Sequence, residues 1–363
     1  MARKLSSDAT LFAVTVALLG FGLVMVWSAS LALAQERHGN PHYFVIKQGL
    51  WACLGVMAMG AAMRLDYRKL RQPAVIYSAL IWTTLLLILV LFLHPVNDTH
   101  RWLRLGGLSF QPAELCKLSL ILFLAYHLER RAERVNEFLT SLFPVMVLLG
   151  WLAFLVYIQP DLGSAATLVL IGGVMLFLAG VRLRYFAALA LAGLPLLYQA
   201  VMAAAYRRDR IEAFLNPWSD ARGSGYQVIQ SLIAVGTGGL GGVGLMEGRQ
   251  KLFYLPYPYS DFIFAVIGEE LGLLGAGLVV AAFVLFLWRG IRAAWKAPDD
   301  FGRLLAAGLT LEIVLQAFIN ISVVLGLVPT KGIPLPFISA GGSSLVFALF
   351  GVGLVLNVSQ HAD

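Results

Sequence analysis

The chain has 363 residues, 59% of them hydrophobic and only 13% charged, with a mean hydropathy of +0.80. That balance excludes a soluble fold with a large water-exposed catalytic domain, and the lack of short alternating segments excludes a β-barrel. The net charge of +7 is spread over the connections between apolar runs and forms no basic stripe, which fits orientation in an anionic membrane and not nucleic acid binding.

An apolar helix of about 20 residues matches a hydrocarbon core of roughly 30 Å. Ten such runs are predicted, at residues 11–33, 44–63, 74–93, 113–128, 138–158, 164–180, 185–205, 262–288, 303–326 and 341–358. They make one all-α integral membrane domain of residues 1–363. The first run is too long for the core of a signal peptide and is expected to stay as a span. An even number of spans puts both termini on one side. That side carries Arg3, Lys4, Arg64, Arg68, Lys69, Arg71, Arg130, Arg131, Arg134, Arg182, Arg184, Arg289, Arg292, Lys296 and Arg303, whereas the opposite short loops carry only Arg37, Arg101, Arg104 and Lys331. The positive-inside bias then predicts cytoplasmic termini. Cys53 and Cys116 fall in apolar runs and read as packing residues.

One connection, residues 206–261, is far longer than a turn needs and is predicted to lie outside the membrane and hold function. Its middle, Val228 to Val235 followed by Gly236, Gly238, Gly239, Gly241, Gly242 and Gly244, is too apolar for an open loop and too short to span. A re-entrant or amphipathic segment is expected, because irregular backbone at membrane depth must be buried in protein or line a wet cavity.

Ionisable groups at membrane depth are costly, so each is a candidate. Glu114 and Lys117 stand three apart on a helix opened by Pro112 and can pair. Either they anchor a short helix, or Lys117 offers its charge to a substrate phosphate while Glu114 orients it. Asp261 precedes the eighth span and reads equally as a helix cap, a role Ser260 could share, or as a partly desolvated general base. Glu269, about 80° around the helix from Asp261, could share its cavity, whereas Glu270 could not, and both could simply pair with neighbouring spans. Asp161 sits in a Pro-Asp-Leu-Gly turn, where ordinary turn chemistry competes with a binding role. Arg101, Arg104, Arg207, Arg208, Arg210, Arg249 and Lys251 break the positive-inside pattern, and an anionic ligand would explain them as a group. Lys331 lies in the last outer loop, and Gly341-Gly342-Ser343-Ser344 opens the tenth span as a helix N-terminus able to receive a phosphate, or merely as a close-packing point. The histidines lack metal-ligand spacing, and no dinucleotide or phosphate-loop fingerprint is present.

Several stretches taken in order resemble the SEDS (shape, elongation, division and sporulation) family typified by FtsW and RodA. They are Trp27-Ser28-Ala29-Ser30, Arg101-Trp102-Leu103-Arg104, Phe110-Gln111-Pro112-Ala113-Glu114, Gln159-Pro160-Asp161-Leu162-Gly163, Asp261-Phe262-Ile263-Phe264-Ala265, Gly268-Glu269-Glu270-Leu271-Gly272 and Pro334-Leu335-Pro336-Phe337-Ile338-Ser339 with Gly341-Gly342-Ser343-Ser344. Pro329-Thr330-Lys331-Gly332 and Gly223-Ser224-Gly225-Tyr226-Gln227 look more like the division-type, FtsW branch. The resemblance implies a peptidoglycan glycosyltransferase acting on lipid II at the outer face of the inner membrane, during division or elongation. It implies Asp261 as the essential aspartate and Glu114 with Lys117 as a buried ion pair. It also implies a class B penicillin-binding transpeptidase and other divisome or elongasome proteins as partners. Tyr257, Tyr259 and Ala340 depart from the family pattern, so no role is carried over to them.

On this reading the reaction is an inverting displacement with Asp261 as base, and Lys117, Glu114, Arg101, Arg210, Asp161, Lys331 and Ser343 are the expected substrate-binding set. No cofactor is demanded, and a divalent cation, magnesium or manganese, is an option at Asp261 or the pyrophosphate. Two rivals remain: a lipid-precursor flippase or transporter, and a non-catalytic scaffold of the wall-synthesis complex.

Overall fold

The computed structural model describes residues 7–93, 100–105 and 108–361. Arg3 and Lys4, part of the charge census, lie outside the described residues. In chain order the elements are α1 (Ala9–His38), α2 (Tyr43–Arg64), α3 (Pro73–Leu91), a hairpin of β1 (Leu103–Leu105) and β2 (Leu108–Phe110), then α4 (Pro112–Arg130) and α5 (Phe143–Ile158). They continue with α6 (Leu162–Leu178), α7 (Leu183–Met202), α8 (Ala205–Leu215), α9 (Tyr226–Gly238), α10 (Ile263–Trp295), α11 (Asp300–Val324) and α12 (Ser343–Gln360). A helix answers each of the ten predicted runs, and α8 and α9 fall in the long connection.

Among the described residues eight helices are long and apolar enough to cross a membrane, α5 reaching that length through a π turn over Phe138–Leu142. The other two predicted spans are α4, which carries several charges, and α6, which is short. Their shortfall has a packing reason. α4 is surrounded by α3, α6, α11 and α12 and is buried almost all round, so its charges meet protein and not lipid. At the other extreme none of the residues of α7 is buried, and Leu191, Leu194 and Leu196 are exposed. An apolar helix left bare by its neighbours finds its environment in the hydrocarbon phase.

The main layers are α2 against α12, α10 against α11, α9 and α1, and α4 against α3 and α11. The first and last described helices meet at one end of this bundle, where the Asp8 N–H donates to Ser359 Oγ at 3.1 Å. There the Asp8 side chain accepts the Leu11 N–H at 2.9 Å as the N-cap of α1, and its carboxylate takes Arg289 Nη2 at 2.6 Å. Tyr67 is fully buried beside them, its hydroxyl donating to Asp299 at 2.5 Å and its N–H to Asn357 Oδ1 at 3.0 Å.

The opposite end holds the long connection. α9 is amphipathic: Val228, Ile229, Ser231 and Ala234 are buried, while Leu232 and Ile233 are open. The glycine run after it docks into a break in α10. Gly272 has φ +64° in the middle of that helix, a conformation that side chains resist. The backbone groups freed there are satisfied by the loop: Val243 and Gly244 donate to the carbonyls of Glu269 and Glu270 at 3.0 Å, and Leu273 and Leu274 donate to Gly239 and Leu240 at 2.9 and 3.1 Å. The backbone groups at the break are thus paired within the protein, as the membrane requires.

Candidate active site

A cavity of about 710 Å³ opens at the end of the bundle that holds the long connection, a size ordinary for a ligand pocket. Its walls come from α6, α7, α8, the hairpin before α4 and the segments that lead into α10 and α12. Asp261, Arg101, Arg210, Asp161 and Lys331 all line it; Glu114, Lys117 and Ser343 do not.

Asp261 stands just ahead of α10. No side chain caps that helix, so the cap reading is set aside for both Asp261 and Ser260. The Asp261 carboxylate instead accepts the Ser260 hydroxyl at 3.0 Å. Burial pushes its carboxyl above the ordinary carboxylate range, with Ser260, Arg210 and Arg101 pulling the other way. The backbone beneath it is fixed from three directions. Asn320 Nδ2 on α11 donates to the Asp261 carbonyl at 2.8 Å and to the Ile333 carbonyl at 2.7 Å. Ser339 Oγ donates to the Ser260 carbonyl at 2.6 Å, and the Ala340 N–H donates to the Tyr259 carbonyl at 3.0 Å. Tyr259 stacks on Phe44 of α2 with centroids 4.5 Å apart, while Tyr257 lines the cavity.

Cations surround the opening. Arg101 donates from Nη2 to the Pro160 carbonyl at 2.9 Å, and its Nη1 lies 3.6 Å from Asp161 Oδ2. Asp161 also caps α6, accepting the Ser164 N–H at 2.9 Å and the Ser164 hydroxyl at 2.8 Å. Turn chemistry and charge pairing therefore meet in one side chain, which holds Arg101 in place. Lys331 lays its stem against Gly163, and its Nζ lies 3.4 Å from Thr167 Oγ1. Among the described residues it has no carboxylate within ion-pair distance, and burial brings its ammonium down to about 8. Arg210 reaches the cavity from α8 beside the Tyr206 ring. Arg207 is anchored to the Ala200 carbonyl at 2.6 Å and the Tyr157 hydroxyl at 3.1 Å.

Other expected members are placed elsewhere. Lys117 Nζ lies 2.6 Å from Glu312, 2.6 Å from Gln316 Oε1 and 2.9 Å from Glu114, so two carboxylates already neutralise it, and it does not line the large cavity. Lys117 and Glu114, expected in the substrate-binding set, form an interior triad with Glu312, enclosed by the polar groups of α11. Ser343 is turned inward, its hydroxyl accepting the Gln111 N–H at 3.1 Å, and Ser344 lines the cavity in its place. Glu269 shares no cavity with Asp261; its carboxylate takes the Arg249 and Gln250 N–H groups at 2.8 and 3.2 Å. Lys251 is likewise removed from the cation group. It is buried against Glu270 at 2.6 Å and donates to Ser28 Oγ at 2.9 Å, which explains the polar Ser28 in the first span. Arg104, Arg208 and Arg249 are exposed.

Sequence reasoning missed Glu312, Gln316 and Asn320. Their spacing of four along an apolar helix puts all three on one face, and that polar stripe was the available signal. Among the described residues no group of three or more His, Cys, Asp or Glu gathers as a metal cluster.

Comparison with known proteins adds the family. Over 358 residues the chain is 46% identical to a protein of Geobacter sulfurreducens named probable peptidoglycan glycosyltransferase FtsW, covering 98% of this chain and 95% of the relative. It is 42% identical over 361 residues to the stage V sporulation protein E of Bacillus subtilis, covering 99% of each. A chain solved in a peptidoglycan synthase complex that coordinates polymerization and crosslinking matches with a TM-score of 0.79 at 31% identity, over 98% of both chains. The rod shape determining protein RodA of Thermus thermophilus matches with a TM-score of 0.71 at 28% identity, over 98% of this chain and 97% of that one. The FtsW/RodA/SpoVE model, described as cell cycle protein, matches residues 9–363, and the chain belongs to that family, with FtsW-like relatives.

Proposed function

We propose that this multi-pass membrane protein polymerises lipid II, with Asp261 as the general base. The chain is a peptidoglycan glycosyltransferase, as its FtsW-named relatives over nearly their whole length support. The proposed orientation puts both termini in the cytoplasm and the cavity on the outer side of the inner membrane, following the Lys and Arg distribution.

The observation that carries the reading is Asp261 itself: a rigidly held carboxylate on a cavity wall, desolvated enough to have raised basicity and flanked by arginines. In the proposed step the carboxylate takes the proton of the acceptor GlcNAc 4-hydroxyl. That oxygen bonds to the donor MurNAc anomeric carbon with inversion, and the bond from that carbon to the pyrophosphate oxygen breaks. Undecaprenyl pyrophosphate leaves with the electron pair. Charge then grows on the leaving group, and in this reading Arg101, Arg210 and Lys331, which line the cavity, meet it. In this reading Lys117 and Glu114 take an indirect part, as a buried strut beneath this wall.

The test is incubation of purified protein with lipid II, with and without a class B penicillin-binding transpeptidase, and separation of glycan chains on a gel. Asp261→Asn should remove polymer by at least about a hundredfold while leaving the unfolding midpoint near wild type. Polymer from that variant at the wild-type rate would remove Asp261 as base. Lipid movement across vesicles without any polymer would favour the flippase reading instead.

A further inference from the structure

Asp261 and Lys331 line the same cavity, and one side chain ties their main chains together. Asn320 Nδ2 on α11 donates to the Asp261 carbonyl at 2.8 Å and to the carbonyl of Ile333, two residues after Lys331, at 2.7 Å. One turn earlier Gln316 Nε2 donates to the Pro334 carbonyl at 3.1 Å, while its Oε1 receives Lys117. Asn320 is 0% exposed, and among the described residues its Oδ1 has no hydrogen-bond partner. The two charged side chains leave the tied segments in different directions. Lys331 runs past Gly163 toward Thr167 on α6, whereas the Asp261 carboxylate lies against Gly332. A methyl group on that glycine would stand 2.7 Å from Asp261 Oδ2 and 3.4 Å from its Cγ.

A buried acceptor without a donor is unfavourable, and an aliphatic side chain on this apolar helix would avoid it. What the amide supplies in return is two donors on one nitrogen, one for each segment. A hydroxyl has a single proton to give and a carboxylate has none, so among side chains of this size the carboxamide alone can bridge two carbonyls. An inverting displacement puts acceptor and leaving group on opposite sides of the reacting carbon. A base on one segment and a phosphate cation on the other must therefore keep a fixed offset, and a misplacement of about 1 Å costs up to a hundredfold in rate. We propose that Asn320 is a positioning residue that locks the Asp261 and Lys331 segments at this offset, with Gly332 as the contact that sets the place of the carboxylate. The inference rests on the reading of Asp261 as base and Lys331 as phosphate cation, and deepens it.

The experiment measures kcat and KM of the full-length protein on lipid II from about pH 4 to 10. Asn320→Ala should lower kcat roughly ten- to a hundredfold with little change in KM, and Asn320→Ser, which keeps one donor, should fall between it and wild type. The pH profile separates positioning from mere loss of folded protein. Burial holds the Asp261 carboxyl up, against Ser260, Arg210 and Arg101, and holds the Lys331 ammonium down to about 8, against Asp161 and Glu114 and together with Lys117 and Arg101. Segments freed from Asn320 gain water, so the acidic limb should move to lower pH and the alkaline limb to higher pH. Gly332→Ala, at an exposed position, keeps the test open even if the Asn320 variants fold poorly; it should lower kcat and shift the acidic limb alone. Both limbs at their wild-type positions in folded Asn320 variants, or a wild-type kcat and acidic limb in Gly332→Ala, would overturn the positioning role while leaving the polymerase reading intact. Wild-type polymerisation by Asp261→Asn would instead remove the base reading and this inference with it.

Discussion

Replacing Lys251 by Met tests how the long connection is held to the bundle. Lys251 Nζ lies 2.6 Å from Glu270 Oε1 and also donates to Ser28 Oγ and the Met246 carbonyl, each at 2.9 Å. Glu270 is 0% exposed and Ser28 1%, so neither can turn to water. Without the ammonium, the carboxylate keeps, among the described residues, the Ser28 hydroxyl and the Met246 N–H as donors. Removing one partner of such a pair costs about 3–5 kcal/mol. Glu270→Gln should cost a similar amount, since it strands the ammonium. The double variant Lys251→Met/Glu270→Gln removes both charges, so its cost should resemble that of one single variant, a coupling of roughly 3 kcal/mol. The assay is unfolding of the purified protein in mixed micelles titrated with SDS, followed by circular dichroism. Single-variant costs that add within about 0.5 kcal/mol would refute the argument, because groups that do not meet are additive.

Lys331 and Asp261 together predict a bell-shaped dependence of polymerisation on pH. Activity should rise as the raised Asp261 carboxyl ionises and fall as Lys331 loses its proton near pH 8, and initial rates from about pH 4 to 10 would show both limbs. Lys331→Arg keeps its charge throughout that range, so the alkaline limb should vanish while the acidic one stays; an unchanged alkaline limb would take the charge role away from Lys331. Gly163→Ala puts a methyl group into the Lys331 stem, so polymerisation should fall roughly tenfold with little change in the unfolding midpoint, and full activity would show that α6 does not set the position of Lys331.

The fold was legible because the membrane imposes a length and a composition on every span. Hydropathy placed all ten runs, and even α4, which fails a strict apolar test, was found from the stretch after Pro112. What stayed hidden depends on contacts between distant segments. Ser28 and Glu270 are 242 residues apart, and nothing local in either span names the other. Helical phase could place Glu269 relative to Asp261 but could not know that α10 breaks at Gly272 and lets the loop claim that carboxylate.

The two lysines show where the limit lies. Lys117 stands out by one physical rule, that a cation near membrane depth needs an acceptor, and Lys331 is read only as a cation of the last outer loop. For Lys117 the acceptors are internal: Glu114 one turn earlier, which the sequence offered, and Glu312 from α11, which it did not. Its charge is spent within the protein before any substrate arrives. Among the described residues Lys331 has no carboxylate within ion-pair distance, and it has a glycine that admits its stem and an open cavity ahead of it. The cost of burying it outweighs the pull of Asp161, which is why its ammonium is held down to about 8. An incoming diphosphate would remove that cost and restore the proton, so substrate binding itself should take up a proton at alkaline pH. Calorimetry of lipid II binding to Asp261→Asn at pH 8.5 in buffers of different ionisation enthalpy would measure that uptake, and equal heats in every buffer would mean that Lys331 does not face the phosphates.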